Sequence, residues 1–184
     1  MKEDKQRWNE RYLDNPMPQS VSPLLEKYIE HAKVGQAIDI ACGTGRNTHY
    51  LSDLGYIVDA VDISDYALER VRDSATIKKI DTDLDKYNLT PNKYDLIVNI
   101  NYLNRRLVSQ MKEALKSGGV LMFETFIVAH GDFHLPTTNL DYLLRKNELL
   151  HSFIGLDVIY YEERVDTNLR GERIKVASIV AKKV

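Results

Sequence analysis

The sequence predicts a three-layer α/β protein built on a mainly parallel sheet. Three observations carry that reading. From Gln36 onward short apolar runs alternate with amphipathic segments, a glycine-rich turn closes the first of these runs, and the last two runs are joined by a short connection. Alternation of this kind asks for helices on both faces of a sheet, because parallel neighbours need a crossover between them.

The elements follow in order. Residues 21–31 have the helical spacing of Leu24, Leu25 and Tyr28, with Pro23 near the start, and predict a helix that covers the sheet. Residues 37–41, 57–62, 76–80, 95–100 and 120–126 read as strands, being short, rich in β-branched or aromatic residues and bounded by turn formers. Between them, residues 46–54 predict a helix stopped by Gly55. Ser64 is placed to cap a helix over 65–72, and residues 103–116 predict a helix ending before Gly118-Gly119. The tail changes period. Residues 156–164 and 173–182 read as strands joined through a turn at 166–171, a connection too short for anything but antiparallel pairing.

A chain of 184 residues suits one domain, which would bury roughly 70% of the surface its unfolded form exposes. Neither an internal repeat nor a linker divides it, so the expectation is a single domain over 1–184, with a lid and covering helix over 1–35 and the core over 36–184. The hydrophobic share of 43% and charged share of 28% are those of a folded globular chain. A net charge of -2, with both signs interleaved, gives no field that would attract a phosphate backbone, and no nucleic-acid partner is expected. The single Cys42 excludes an intrachain disulfide, and the first residues carry no apolar signal segment. No apolar run approaches the roughly 20 residues that span a bilayer. A cytoplasmic protein without a membrane association is expected; oligomeric state is not legible.

The chemistry concentrates where a strand carrying Asp39 runs into Gly43-x-Gly45 and a helix, with Asp62 closing the next strand about twenty residues on. Glycines let the backbone turn tightly beneath a ligand, the helix start offers free N–H groups, and a carboxylate at the second strand end accepts from ribose hydroxyls. This is a Rossmann-like adenosyl-ribose site. A dinucleotide-binding loop continues as GxGxxG, but its third glycine is replaced here by Thr48. Asp39 and Asp62 taken singly are also ordinary turn or capping residues.

Asp39-x-x-x-Gly43-x-Gly45 resembles motif I of class I S-adenosylmethionine-dependent methyltransferases, and Asp62 resembles their ribose-binding acid. Asp83-Leu84 resembles the adenine-holding pair, although Asp81 and Asp85 flank it closely. Residues 94–99 resemble the fourth-strand motif, and 115–121 resemble the LKxGGxL turn into the fifth strand. Trp8-Asn9-Glu10-Arg11-Tyr12 resembles the segment that folds over the cofactor in small-molecule methyltransferases of the tellurite-resistance and thiopurine type. Residues 102–107, 124–126, 142–145 and 147–150 look like the tellurite-resistance type. The resemblance implies a three-layer Rossmann-like fold with a seven-stranded, mostly parallel sheet and an antiparallel C-terminal hairpin. It also implies S-adenosylmethionine as donor, S-adenosylhomocysteine as product, and a small-molecule acceptor. The donor-binding residues it implies are Asp39, Ala41, Gly43, Thr44, Gly45, Asn47, Asp62, Ile63, Asp83, Leu84 and Asn99.

The acceptor side is less defined. Residues 99–106 and 124–134 should surround it, above the ends of the fourth and fifth strands. Tyr102, Arg105 and Glu124 are the candidate catalytic residues, and no catalytic residue is fixed. Asn99-Ile100-Asn101-Tyr102 has the outline of the NPPY motif of amino-group methyltransferases without its prolines, so no amine acceptor follows. Glu124 and Thr125 either orient an acceptor, or Glu124 pairs with Arg105 or Arg106. His130, Asp132 and His134 have the residue types of a metal site but fit exposed loop positions better, and no metal is expected. Cys42 reads as a small packing residue. Two other functions share the same features: an NAD(P)-dependent oxidoreductase, against which Thr48 speaks, and a non-catalytic adenosyl- or RNA-binding module, suggested by Arg105-Arg106 and the lack of an evident general base.

Overall fold

The computed structural model describes residues 2–14 and 18–184. Its first strand, β1 (Gln36–Ile40), lies between β2 (Ile57–Asp62) and β4 (Tyr94–Ile100), both parallel to it. Beyond β2 lies β3 (Ile77–Asp81), and beyond β4 lies β5 (Leu115–Phe126), each again parallel. The hairpin of β6 (Asp157–Thr167) and β7 (Arg173–Lys182) completes the sheet, with β7 inserted antiparallel between β5 and β6. The order is β3-β2-β1-β4-β5-β7-β6, and the seven-stranded, mostly parallel sheet with an antiparallel C-terminal hairpin is the one expected from the sequence. Strand order reverses between β1 and β4, and in open α/β sheets the crevice outside the strand ends at that point takes the ligand.

Alternate residues of each strand feed two cores. Ile38, Ile40, Ile97, Leu121, Phe123 and Ile179 face one layer, built on α5 (Arg106–Ala114) and α6 (Glu148–Phe153). Ala37, Val58, Leu96, Val98, Val120 and Met122 face the other, closed by Leu24 and Leu25 of α2 (Pro23–Tyr28) and Leu51 of α3 (Arg46–Asp53). Burial on both faces explains why these strands read as near-continuous apolar runs. The N-terminal segment forms α1 (Lys2–Asp14), which packs on α4 (Asp65–Leu68).

Several boundaries differ from the sequence reading. The helix expected over 103–116 begins at Arg106 and stops at Ala114, because Leu115 turns extended and pairs with Tyr94 of β4. Gly119 is required there: a Cβ would lie 2.9 Å from the carbonyls of both Lys116 and Tyr94. The helix expected over 65–72 is a single capped turn. Ser64 Oγ accepts from Ala67 N as anticipated, but Arg70 and Val71 bond three residues back, tightening the chain out of the α-helix. The helix expected over 21–31 is α2 followed by a 3-10 turn at Ile29–His31. The tail turn is shorter than 166–171, since Asp166 and Thr167 still pair with Ile174 and Arg173.

Candidate functional site

Ala41, Gly43 and Gly45 all have positive φ, 53°, 56° and 85°, so the chain leaves β1 by a left-handed path that glycine tolerates best. The turn is pinned from below by Cys42 N donating to Val61 O at 3.0 Å. Gly45 then occupies the N-cap of α3 without a side-chain cap, so the backbone groups of the first turn remain for other partners.

Asp39 and Asp62 are 2% and 4% exposed and flank this turn. Asp62 Oδ2 accepts from Gly43 N at 2.8 Å and its Oδ1 from Ser64 N at 2.9 Å, which ties the β2 end to the glycine loop. Burial raises its pKa, against the lowering effect of these backbone donors. Asp39 Oδ2 accepts from Thr48 Oγ1 at 2.7 Å. Burial pushes the Asp39 carboxyl up to about 7, with the Thr48 hydroxyl and the Arg46 charge opposing. Thr48, noted in the sequence only as a missing glycine, is thus the partner that holds Asp39. Cys42 is buried, and burial carries its thiol well above the ordinary range, which suits packing and not nucleophilic chemistry.

The remaining donor-site candidates divide. Asn47 is buried, and its Oδ1 accepts from Ser22 N at 2.9 Å, so that oxygen holds the segment leading into α2. Thr44 and Ile63 are half-buried beside the loop. Among the three aspartates after β3, Asp81 is paired to Lys5 Nζ at 2.6 Å and Asp85 accepts from Asn104 Nδ2 at 2.9 Å. Asp83 accepts from the N–H of Asp85 at 2.9 Å, a local turn contact, and Leu84 beside it is buried. Asn99, fully buried at the end of β4, donates through Nδ2 to Tyr102 O at 2.7 Å, while its Oδ1 is one of two buried side-chain atoms without a partner among the described residues; the other is Ser22 Oγ.

Four residues outside the donor-binding set expected from the sequence also contribute. Tyr12 lies over the glycine loop: a Cβ on Gly43 would meet its hydroxyl at 2.8 Å. Burial raises the Tyr12 phenol pKa, with Asp62 adding to the shift. Lys5 and Asn9 fasten α1 there, Lys5 Nζ lying 2.9 Å from Asp65 and Asn9 Nδ2 donating to Asp65 at 2.8 Å, while Ser64 Oγ donates to Asn9 at 2.6 Å. Arg46, next after Gly45, donates to Ser20 O at 3.1 Å; burial lowers its pKa while the fields of Asp39 and Glu124 raise it. Only the resemblance of residues 8–12 to a covering segment pointed toward Tyr12 and Asn9.

On the acceptor side the structure corrects the sequence pairings. Glu124 pairs with neither Arg105 nor Arg106; its partner is Arg164 at 2.8 Å. Arg105 clamps the 141–148 segment, bonding Glu148 at 2.5 Å and the carbonyls of Asp141 and Leu143. Arg106 holds Asn88 Oδ1 and the carbonyls of Leu84 and Tyr87. Both arginines are committed within the chain, which removes one of the two motives for an RNA-binding reading. Tyr102 packs against the core, and its hydroxyl pKa is pushed up to about 12 by burial. His134 lies 3.4 Å from Glu172, and among the described residues no group of three His, Cys, Asp or Glu could hold a metal ion.

The family model for tellurite resistance protein TehB matches residues 5–180. The chain belongs to the TehB family. Over 176 residues it is 28% identical to the probable S-adenosyl-L-methionine-dependent methyltransferase TehB of Haemophilus influenzae, covering 85% of this chain and 59% of that protein. The chain therefore spans little more than half the length of this TehB relative. In structure it is similar to TehB from Haemophilus influenzae, with a TM-score of 0.75 at 22% identity, covering 98% of this chain and 67% of that one. It is also similar to an S-adenosylmethionine-dependent methyltransferase from Mesorhizobium loti, with a TM-score of 0.71 at 19% identity, over 88% and 96% of the two chains. These likenesses bear out the class I methyltransferase fold. No helix among the described residues is long and apolar enough to cross a membrane.

Proposed function

We propose that this TehB-family chain is a cytoplasmic methyltransferase that binds S-adenosylmethionine in the crevice beyond β1, β2 and β4 and methylates a small-molecule acceptor, leaving S-adenosylhomocysteine. The observation that carries the reading is the Asp62 carboxylate held by Gly43 N and Ser64 N beside a left-handed glycine turn at the switch point of the sheet. The residues fit an adenosyl amino acid. A carboxylate has about four lone-pair sites, so Asp62 keeps acceptor capacity for a ribose hydroxyl. Asp83 and Leu84 would flank the base, while Ala41, Thr44 and Ile63 would line the approach. Asn99 Oδ1, an acceptor without a partner, suits an ammonium group, and Arg46 suits a carboxylate.

When bound, the donor supplies an activated methyl group on a sulfonium with a neutral leaving group. The protein's own task is then to position the two partners and exclude water. Tyr12 and α1, latched over the glycine loop by Lys5 and Asn9, cover the donor side. Calorimetry with S-adenosylmethionine and S-adenosylhomocysteine tests the reading. Asp62→Ala should weaken binding roughly ten- to hundredfold, the loss expected for charge-assisted hydrogen bonds. Unchanged affinity in that variant, or preferential binding of NAD by the natural chain, would count against it.

A further inference from the structure

Two serines stand at helix starts, and their hydroxyls behave differently. Ser64 caps α4, its Oγ accepting from Ala67 N at 3.1 Å and donating to Asn9 at 2.6 Å. Ser22 occupies the N-cap of α2 with Pro23 behind it, an arrangement in which the serine hydroxyl ordinarily takes a free backbone N–H. It makes no such bond. Ser22 is 1% exposed, and its Oγ has no hydrogen-bond partner among the described residues. A buried hydroxyl costs stability when nothing receives it, so a serine that forgoes its own cap and stays inside calls for a partner of another kind.

The chain around Ser22 is strapped to the helix start that follows the glycine loop. Ser22 N donates to Asn47 Oδ1 at 2.9 Å, and Arg46 Nη1 donates to Ser20 O at 3.1 Å. Arg46 and Asn47 are the first two residues of α3, directly after Gly45 at its N-cap. Bond lengths hold a serine Oγ within about 4 Å of its own backbone N, which sets the unpartnered hydroxyl beside the Asn47 amide. With Oδ1 taken by Ser22 N, that amide has only N–H groups to offer, and Arg46 keeps donors beyond the one given to Ser20. Gly45 brings no side-chain cap, so the helix start adds its own N–H groups and partial positive charge. The Asp39 carboxyl nearby is engaged by Thr48 Oγ1 at 2.7 Å.

We infer that the Ser22 hydroxyl, with the Asn47 amide and Arg46, receives the carboxylate of the donor's amino-acid portion and sets how that end of the donor lies. The inference rests on the donor site proposed above. In that reading Asp62 on β2 takes the ribose and Asn99 at the end of β4 takes the ammonium, which leaves the carboxylate to be held. A carboxylate only accepts hydrogen bonds, and it matches a corner made of donors. In return it supplies the acceptor that Ser22 Oγ lacks among the described residues.

Two measurements on Ser22→Ala test this, one of them without ligand. An unpartnered buried hydroxyl burdens the free chain, so the free variant should melt about 2 to 4 °C higher than the natural chain. Calorimetry should show S-adenosylhomocysteine binding the variant about tenfold or more weakly, the loss expected for one charge-assisted hydrogen bond. Decarboxylated S-adenosylhomocysteine keeps the adenosyl group and the ammonium and lacks only the carboxylate. Its affinity should differ by less than about twofold between the two chains. A variant that melts no higher than the natural chain overturns the inference, because the hydroxyl then has a structural partner. An equal loss for both ligands, or a loss for neither, also overturns it while leaving the donor site standing. If neither ligand binds the natural chain, the donor site falls and this inference with it.

Discussion

Replacing Asp39 by asparagine should stabilise the chain, and by more as the pH rises. Asp39 is 2% exposed, and burial lifts its carboxyl from 3.8 to about 7 despite the Thr48 hydroxyl at 2.7 Å. Between those values the folded chain holds a proton that the unfolded chain has released. A raised folded-state pKa therefore gives stability that is fully present below about pH 4, is lost as the pH climbs through about 7, and is flat beyond. Each unit corresponds to about 1.4 kcal/mol, so the full swing is up to about 4 kcal/mol. Asparagine keeps an oxygen for Thr48 and carries no charge to bury. Its stability relative to the natural chain should stay near its acid value at about pH 4 and gain about 2 to 4 kcal/mol by about pH 8. Urea unfolding followed by far-ultraviolet circular dichroism across that range measures the difference directly. A difference that is the same at every pH, or one that turns against asparagine as the pH rises, would refute the reasoning.

Other consequences can be checked in the same way. Gly43→Ala places a β-carbon at φ 56° and 2.8 Å from the Tyr12 hydroxyl, and should cost about 1 to 3 kcal/mol in thermal unfolding. Adding Tyr12→Phe should recover part of that loss, since the hydroxyl is the nearest atom. Arg105→Ala removes the clamp on Asp141, Leu143 and Glu148, and hydrogen exchange at the Leu143 and Leu144 amides should accelerate well before global unfolding. Lys5→Ala loses ion pairs to Asp65 and Asp81 that are partly exposed, so the cost should stay at or below about 1 kcal/mol. Its effect should instead show as faster proteolysis within α1; equal cleavage rates would mean that Lys5 does not fasten the helix.

What could be read in advance depended on how far apart in the chain the cooperating residues lie. The glycine loop was legible because its requirement is local: a strand must end, the backbone must turn through positive φ, and a helix must start within a few residues. The tail hairpin was legible for the same reason, and β7 runs over the expected Arg173–Lys182. The end of α5 was not, because Leu115 leaves the helix to pair with Tyr94, a competitor that helical spacing does not contain. The charged residues at the site illustrate the limit most clearly. Arg105 and Glu124 look like mutual partners on the ends of neighbouring elements, yet Arg105 reaches 43 residues on to Glu148 and Glu124 reaches 40 residues on to Arg164. Residue type announced that each would find an opposite charge, since buried carboxylates and guanidinium groups must; strand order decided which one. By inserting β7 between β5 and β6, the sheet brings Ser178 and Arg164 to Glu124 together, and a solitary glutamate in the sequence becomes a carboxylate anchored from two neighbouring strands.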